Sequence, residues 1–327
     1  MSEACRTVTA EEAALFLRQN DNFVILTHSS PDGDTLGSAF GLKEILEEIG
    51  KRASVVCGDA IPRKYGYLGK AASADEIPEN RTVIAVDIAD PKLTSGIAEE
   101  LCRECKLCID HHPTNIRYAE RLLLDGDAGA ASEVVFEVAK ELGVIPSKSI
   151  ATALYTGIAT DTGCFKYGNT RPETHIAAAE LMRLGADFKF VNRLLFETVT
   201  KGRLFLEKKA YENMTFYADG VLAITVLDYE TLSSPEADIS ELDGVAAIPR
   251  TIEGVSVGIT VKEREKGVFK ASVRTFPPYD AAEICAALGG GGHKCAAGCR
   301  MEGTRESAID AVLRSALDEI ERCGRHE

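Results

Sequence analysis

The 327-residue sequence has no apolar run approaching the roughly 18 residues of a membrane-spanning helix, so a membrane partner is not expected. Its first stretch, MSEACRTVTAEEAALFLRQ, carries early acids and lacks the apolar core of a secretory leader; a cytoplasmic location is the expectation. Positive charge is scarce, with 37 Lys and Arg against 51 Asp and Glu and a net charge of −14. A protein that coats long duplex nucleic acid wants a basic face, and this balance argues against that class. A small phosphorylated substrate stays open, because bound divalent metals can supply local positive charge. Internal repeats and low-complexity tracts are lacking as well. Histidine is rare: His28, His111, His112, His175, His293 and His326 are the whole supply, and four of them sit in dense polar motifs.

Cysteine is not scarce. Ten thiols in an intracellular chain are most simply reduced. Cys102, Cys105 and Cys108 stand at CxxCxxC spacing, part of an iron–sulfur or zinc pattern, but no fourth ligand follows at motif spacing. Cys102 and Cys105 fit one helix face and Cys108 a following strand, so the reading is of small buried hydrophobes.

An apolar content of 45% and this length allow two domains. In the first part short apolar runs alternate with helical periodicity. Strands are expected at 22–28, 53–57, 81–87 and 106–110, and helices over 35–50, 93–105, 129–143, 148–163 and 171–185. That alternation predicts an α/β domain over 1–190, with a mostly parallel sheet flanked by helices. A charged helical stretch, 191–213, reads as a linker helix. Short strands then predict a smaller C-terminal α+β domain over 214–327, closed by an amphipathic helix.

The chemistry collects at the carboxyl ends of the expected strands, where open α/β sheets place ligands. The first strand runs into His28, followed by Asp32 and Asp34. The VIAV run ends at Asp87. The LCI run ends at Asp110, His111 and His112. Asp161 follows a helix rich in small residues. His28, Asp32, Asp34, Asp87, His111 and Asp161 could therefore converge on one crevice and hold two divalent ions, with a shared carboxylate keeping them about 3.5–4 Å apart. Four carboxylates would offset the charge of two such ions, and without metal they would repel one another. Each Asp alone is more ordinarily a turn or cap residue. A calcium loop starting at Asp32 fails, since Leu36 and Lys43 fall where oxygen ligands are required.

GGGGH at 289–293 follows a helical run. A flexible loop or a helix stop at Gly289 is the plain reading. Gly290, Gly291 and Gly292 could also let backbone amides approach a phosphate, with His293, Lys294 and Arg274 close in sequence or one strand upstream.

In that order, THSSPDGDTLGS, AVDIAD, IDHHPTN and ATDTGCF resemble the motifs of the DHH phosphoesterase superfamily, and SVRTF with EICAALGGGGHKCAAGC resembles its DHH-associated domain of type 1. The resemblance spans nearly the whole chain and is strongest to stand-alone oligoribonuclease and pAp phosphatase members. It implies that His28 and Asp32 bind one ion, that Asp34, His111 and Asp161 bind the other, and that Asp87 bridges. It further implies that His112 meets the scissile phosphate, that Asp110 orients the histidine pair, and that Arg274, Gly290–Gly292, His293 and Lys294 grip the substrate. The implied metal is manganese, with magnesium or cobalt as alternatives. The implied substrates are short RNA, linear dinucleotides or 3′-phosphoadenosine 5′-phosphate (pAp); a homodimer is allowed. Ser30, SVRT and Pro277–Pro278 depart from the pattern and bear on substrate preference. Competing readings are a cyclic-dinucleotide phosphodiesterase, an inorganic pyrophosphatase and a non-catalytic nucleotide-binding regulator.

Overall fold

A strand whose residues are all apolar needs cover on both faces, and the first half of the chain supplies several. In the computed structural model, which describes residues 5–324, the chain divides into two units at Thr198/Val199. The first contains β1 (Arg6–Thr7), α1 (Ala10–Gln19), β2 (Phe23–Leu26), α2 (Gly33–Glu48), β3 (Ala53–Val56), β4 (Thr82–Val86), α3 (Gly96–Cys102), β5 (Leu107–Asp110), β6 (Arg121–Leu124), α4 (Ala131–Glu141), α5 (Lys148–Asp161), α6 (Pro172–Arg183) and α7 (Phe188–Asn192).

The sheet order is β1-β6-β5-β4-β2-β3, with every pairing parallel. Alternation splits each strand between two cores. Phe23, Ile25, Ile84, Val86, Leu107 and Ile109 join one; Val24, Leu26, Val83, Ala85 and Cys108 join the other. Burying each such aliphatic side chain contributes about 1.5–3 kcal/mol against the entropy of ordering it. The chain leaves β2 to build β3 on one side, then crosses back to build β4 on the other. The β2/β4 boundary is thus a topological switch point, where a crevice opens beyond the strand ends.

α2 and α5 approach closely because glycines line their contact. A Cβ at Gly33 would strike Thr160, and one at Gly37 would strike the Ala153 carbonyl and lie 2.9 Å from the Gly157 nitrogen. This approach carries Asp34 on α2 toward Asp161, the last residue of α5.

The second unit contains α8 (Lys201–Glu212), β7 (Thr215–Tyr217), β8 (Leu222–Leu227), α9 (Tyr229–Leu232), α10 (Leu242–Val245), β9 (Val257–Glu265), β10 (Val268–Thr275), α11 (Ala281–Ala286), β11 (Gly291–His293), β12 (Ala296–Glu302) and α12 (Arg305–Gly324). Its mixed sheet runs β11-β12-β10-β9-β8-β7, parallel only between β8 and β9.

Three expectations need correction. The single helix over 191–213 is broken: α7 passes into a π-helical turn at Arg193–Glu197, and α8 begins only at Lys201. Cys105 is not on a helix face with Cys102, since α3 ends at Cys102; the three thiols are nonetheless all buried. The glycine run is not a loop throughout, because Gly291–His293 forms an edge strand on β12. Gly290 and Gly292 answer to close packing. A Cβ at Gly292 would sit 2.6 Å from the Ala297 Cα, and one at Gly290 2.5 Å from the Cys299 Cβ.

Candidate metal centre

Each acidic or imidazole group arrives from a strand end or helix end that the fold requires. Asp32 caps α2, its Oδ1 accepting the Asp34 amide at 3.0 Å and the Thr35 amide at 3.2 Å. Asp34, two residues further, is buried. Its Oδ2 accepts the Ala131 amide at 2.6 Å, and its Oδ1 accepts the Ser132 amide at 3.0 Å and the Ser38 hydroxyl at 3.3 Å. These amides open α4, so a helix N-terminus faces the carboxylate. Asp87 follows β4 with φ +59°, a left-handed conformation that a non-glycine residue adopts at a cost. Asp161 is held through Oδ2 by the Asn169 side-chain amide at 3.1 Å.

The histidines are oriented by their second nitrogens. His28 Nδ1 bonds the Ser29 carbonyl at 2.7 Å, and His111 Nδ1 bonds the Ala128 carbonyl at 3.0 Å. A carbonyl partner puts the proton on Nδ1 and leaves Nε2 as the outward donor atom. His28 Nε2 lies 3.6 Å from Asp32 Oδ1 and 3.6 Å from Asp87 Oδ2. His111 Nε2 lies 3.5 Å from Asp87 Oδ1, 3.9 Å from Asp34 Oδ2 and 3.8 Å from Asp161 Oδ2. The two oxygens of Asp87 therefore face two different sets. His28, Asp32 and Asp87 form one, Asp34, His111 and Asp161 the other, the donor atoms of each set within 4.8 Å of one another. Asp87, His111 and His112 make a third such grouping.

Asp110 stands behind. Its Oδ1 accepts the His111 amide at 2.8 Å and the His112 ring Nδ1 at 2.8 Å, and its Oδ2 accepts the Asn115 amide at 2.7 Å. The His112 side chain is 42% exposed against 10% for His111, so His112 is the histidine that meets solvent.

Electrostatics follow from this crowding. Burial, then the charge of Asp34, pushes Asp87 well above the usual carboxylate range. The same two causes lift Asp161 to about 7, and burial also raises Asp34. Burial works against a charged His28, yet the carboxylates of Asp32 and Asp87 beside its Nε2 hold it protonated up to about 11. The hydrogen bond to Asp110 raises His112. Four carboxylates in one crevice are thus poorly compensated by protein alone, and Asp87 Oδ1 is buried without a hydrogen bond. Carboxylate oxygens with two imidazole nitrogens suit hard-to-borderline divalent cations, so this donor set fits such ions.

Every metal-ligand candidate read from the motifs thus lies in one crevice, with His112 and Asp110 beside it. Arg274, Gly290–Gly292, His293 and Lys294 lie in the second unit. Arg274 on β10 and His293 on β11 are each opposite Ala296 of β12. Asn169, Ser38 and Ser132 were not anticipated. Polar residues that act by holding another side chain leave no periodicity or spacing to detect.

Residues 22–158 match the DHH family, N-terminal domain, and residues 220–322 match the DHHA1 domain. The chain is also 34% identical over 306 residues to the bifunctional oligoribonuclease and PAP phosphatase NrnA of Thermus thermophilus, covering 92% of this chain and 90% of that one. The chain belongs to the DHH family. A second relative of this DHH protein, a probable bifunctional oligoribonuclease and PAP phosphatase NrnA of Streptococcus mutans, is 28% identical over 89% of this chain and 93% of its own length. Among solved structures, an exopolyphosphatase-related protein from Bacteroides fragilis shares the DHH fold with a TM-score of 0.82 and 24% identity, over 94% of this chain and 96% of that one.

Proposed function

We propose that this DHH-family phosphoesterase hydrolyses short oligoribonucleotides and linear dinucleotides to mononucleotides, and pAp to AMP. The observation that carries the reading is Asp87: buried, strained, with one oxygen turned to each of two ligand sets. In it, His28 and Asp32 hold one ion, Asp34, His111 and Asp161 the other, and Asp87 both. Two divalent ions there, Mn²⁺ by preference, would activate water and neutralise charge on the phosphoryl oxygens.

The chain's own residues do the rest. Asp110 fixes the His112 ring and favours its charged form, so a solvent-facing imidazole is oriented for the phosphate. The backbone carbonyls of Ser29 and Ala128 keep the other two imidazoles pointing into the crevice. Burial raises Asp34, and the charge of His111 and the hydrogen bonds from Ser132 oppose that rise by favouring the carboxylate. In the second unit, Arg274 offers a guanidinium fork to the terminal phosphate, with His293 across the strand and Gly290–Gly292 and Lys294 alongside. A domain over 1–190 carries the chemistry and one over 214–327 the grip. A reducing cytoplasm suits ten cysteines without a disulfide among them, and no helix among the described residues is long and apolar enough to cross a membrane.

The test uses protein stripped of metal and resupplied with Mn²⁺, Mg²⁺ or Co²⁺. It is offered pAp, a 5′-phosphorylated RNA dinucleotide, cyclic di-AMP and a long RNA strand. Mn²⁺-dependent turnover of the first two, with little of the others, is expected. Cyclic di-AMP as the preferred substrate, or silence on all four with metal bound, overturns the reading.

A further inference from the structure

Strand alternation sends Lys270, Ser272 and Arg274 to one face of β10, and Phe269, Ala271 and Val273 to the other. The second group is buried with Ile284 of α11 and Val312 and Ala316 of α12. Register extends the first group across three strands. Arg274 is opposite Ala296, which is opposite His293. Ser272 is opposite Gly298, which is opposite Gly291. Lys270 is opposite Arg300.

This face runs against the character of the chain. The protein carries a net charge of −14, yet β10, β11 and β12 together hold Lys270, Arg274, His293 and Arg300 against the single acid Glu302. Arg300 Nη1 pairs with Glu302 Oε1 at 2.9 Å, with side chains 65% and 66% exposed. A pair so wet contributes little and exchanges readily with another anion. Lys270 is exposed. Like charges directly opposite on a sheet, about 4.5–5.5 Å apart at Cβ, destabilise it, so this pair costs the fold something in isolation. Between the two basic rows lie Gly298 and Gly291, beside the buried Ser272. A Cβ at Gly291 would meet nothing within 4 Å, and one at Gly298 would meet only the Ala271 carbonyl, at 3.3 Å.

We propose that Lys270 and Arg300 form a second phosphate site that extends the grip of Arg274 and His293 along β10, selecting oligoribonucleotides longer than two nucleotides. The inference rests on the phosphoesterase reading above. Lys270 and Arg274 are four residue steps apart along the strand, about 13 Å, longer than one sugar–phosphate repeat. A strand whose terminal phosphate is gripped by Arg274 can lay its chain along β10 and meet the second cation pair further on. Neither pAp nor a dinucleotide reaches both ends. A pentanucleotide does, and its binding gains two further charge contacts.

The experiment compares wild type with K270E/R300E and with the milder K270Q/R300Q, each checked for folding by far-ultraviolet circular dichroism. KM is measured for a 5′-phosphorylated RNA dinucleotide and pentanucleotide. Salt dependence of pentanucleotide binding is followed by fluorescence anisotropy. In the Glu variant the pentanucleotide KM is expected to rise at least about tenfold more than the dinucleotide KM, with the Gln variant intermediate. The slope of log affinity against log salt is expected to fall by about 1.4, two contacts at about 0.7 each. Equal KM changes at both lengths, with an unchanged slope, overturn the second site and leave the phosphoesterase reading standing. A wild-type protein that turns over neither RNA overturns both.

Discussion

Gly157 is where the fold and the metal centre press hardest on one another, and Gly157→Ala tests both. An alanine methyl there would overlap the Ser132 hydroxyl and lie 2.6 Å from Asp34 Oδ1. Neither neighbour is free to yield. Ser132 lies in the first turn of α4, its hydroxyl is 2.9 Å from that of Ser38 and its amide holds Asp34, while Asp34 also accepts from Ala131. Overpacking of this kind costs about 1–3 kcal/mol. In a unit of this size each kcal/mol moves the melting temperature by about 2–4 °C, so a loss of about 2–12 °C is expected. Displacing a group that holds a metal ligand typically weakens metal binding about 10- to 100-fold. Thermal melts by circular dichroism and calorimetric titration of Mn²⁺ into stripped protein read the two effects separately. Gly168→Ala is the control, since a Cβ there meets nothing within 4 Å. If Gly157→Ala melts and binds Mn²⁺ as the control does, the account of α2, α4 and α5 converging on Asp34 is wrong.

Asp87→Asn keeps the side-chain shape, and asparagine tolerates the left-handed backbone that alanine would strain; kcat on pAp is expected to drop at least about 100- to 1,000-fold, and a loss under about tenfold refutes the bridging role. Asn169→Ala frees the Asp161 carboxylate and should raise the dissociation constant of the more weakly bound Mn²⁺ about tenfold or more by calorimetry; an unchanged constant removes Asn169 from that role. Metal-free stability should depend on pH. Burial and Asp34 lift Asp161 from 3.8 to about 7, and the carboxylates of Asp32 and Asp87 lift His28, against burial, from 6.5 to about 11. Both keep in the fold a proton that the unfolded chain has released, so their stabilisation is present below the unfolded values and lost as pH rises through the folded ones. The stripped protein is therefore expected to melt lower at about pH 8 than at about pH 6, with saturating Mn²⁺ abolishing the slope. A melting temperature that climbs over that interval contradicts the crowding of these groups.

The features legible in the chain alone are local ones. Uninterrupted apolar runs such as FVIL and TVIAV declare strands covered on both faces, and residues following such strands in an α/β sheet lie at its ligand edge. That logic marked His28, Asp32, Asp34, Asp87 and the Asp110–His112 run as candidates for one crevice; Asp161 follows a helix instead, and the roles of His112 and Asp110 came only with the motif resemblance. The same logic was not enough for elements whose existence depends on a distant partner. The two-residue β1 and the strand RLLL are defined by pairing with each other across most of the first unit. GGH has no propensity for a strand and becomes one only by lying on β12. The helix expected over 191–213 has continuous helical composition, and only packing reveals the π-turn that interrupts it.

The tertiary structure alone decided which carboxylates share a crevice and which oxygen faces which imidazole. Sheet order set β2 beside β4 and so His28 beside Asp87. Side chains absent at Gly33, Gly37 and Gly157 let α5 approach α2 closely enough for Asp161 to come within 3.8 Å of the histidine that also faces Asp34. Periodicity reports how a residue relates to its neighbours within a turn or two of chain. The separation of two backbones is set by every side chain between them, and that sum is formed only when the chain folds.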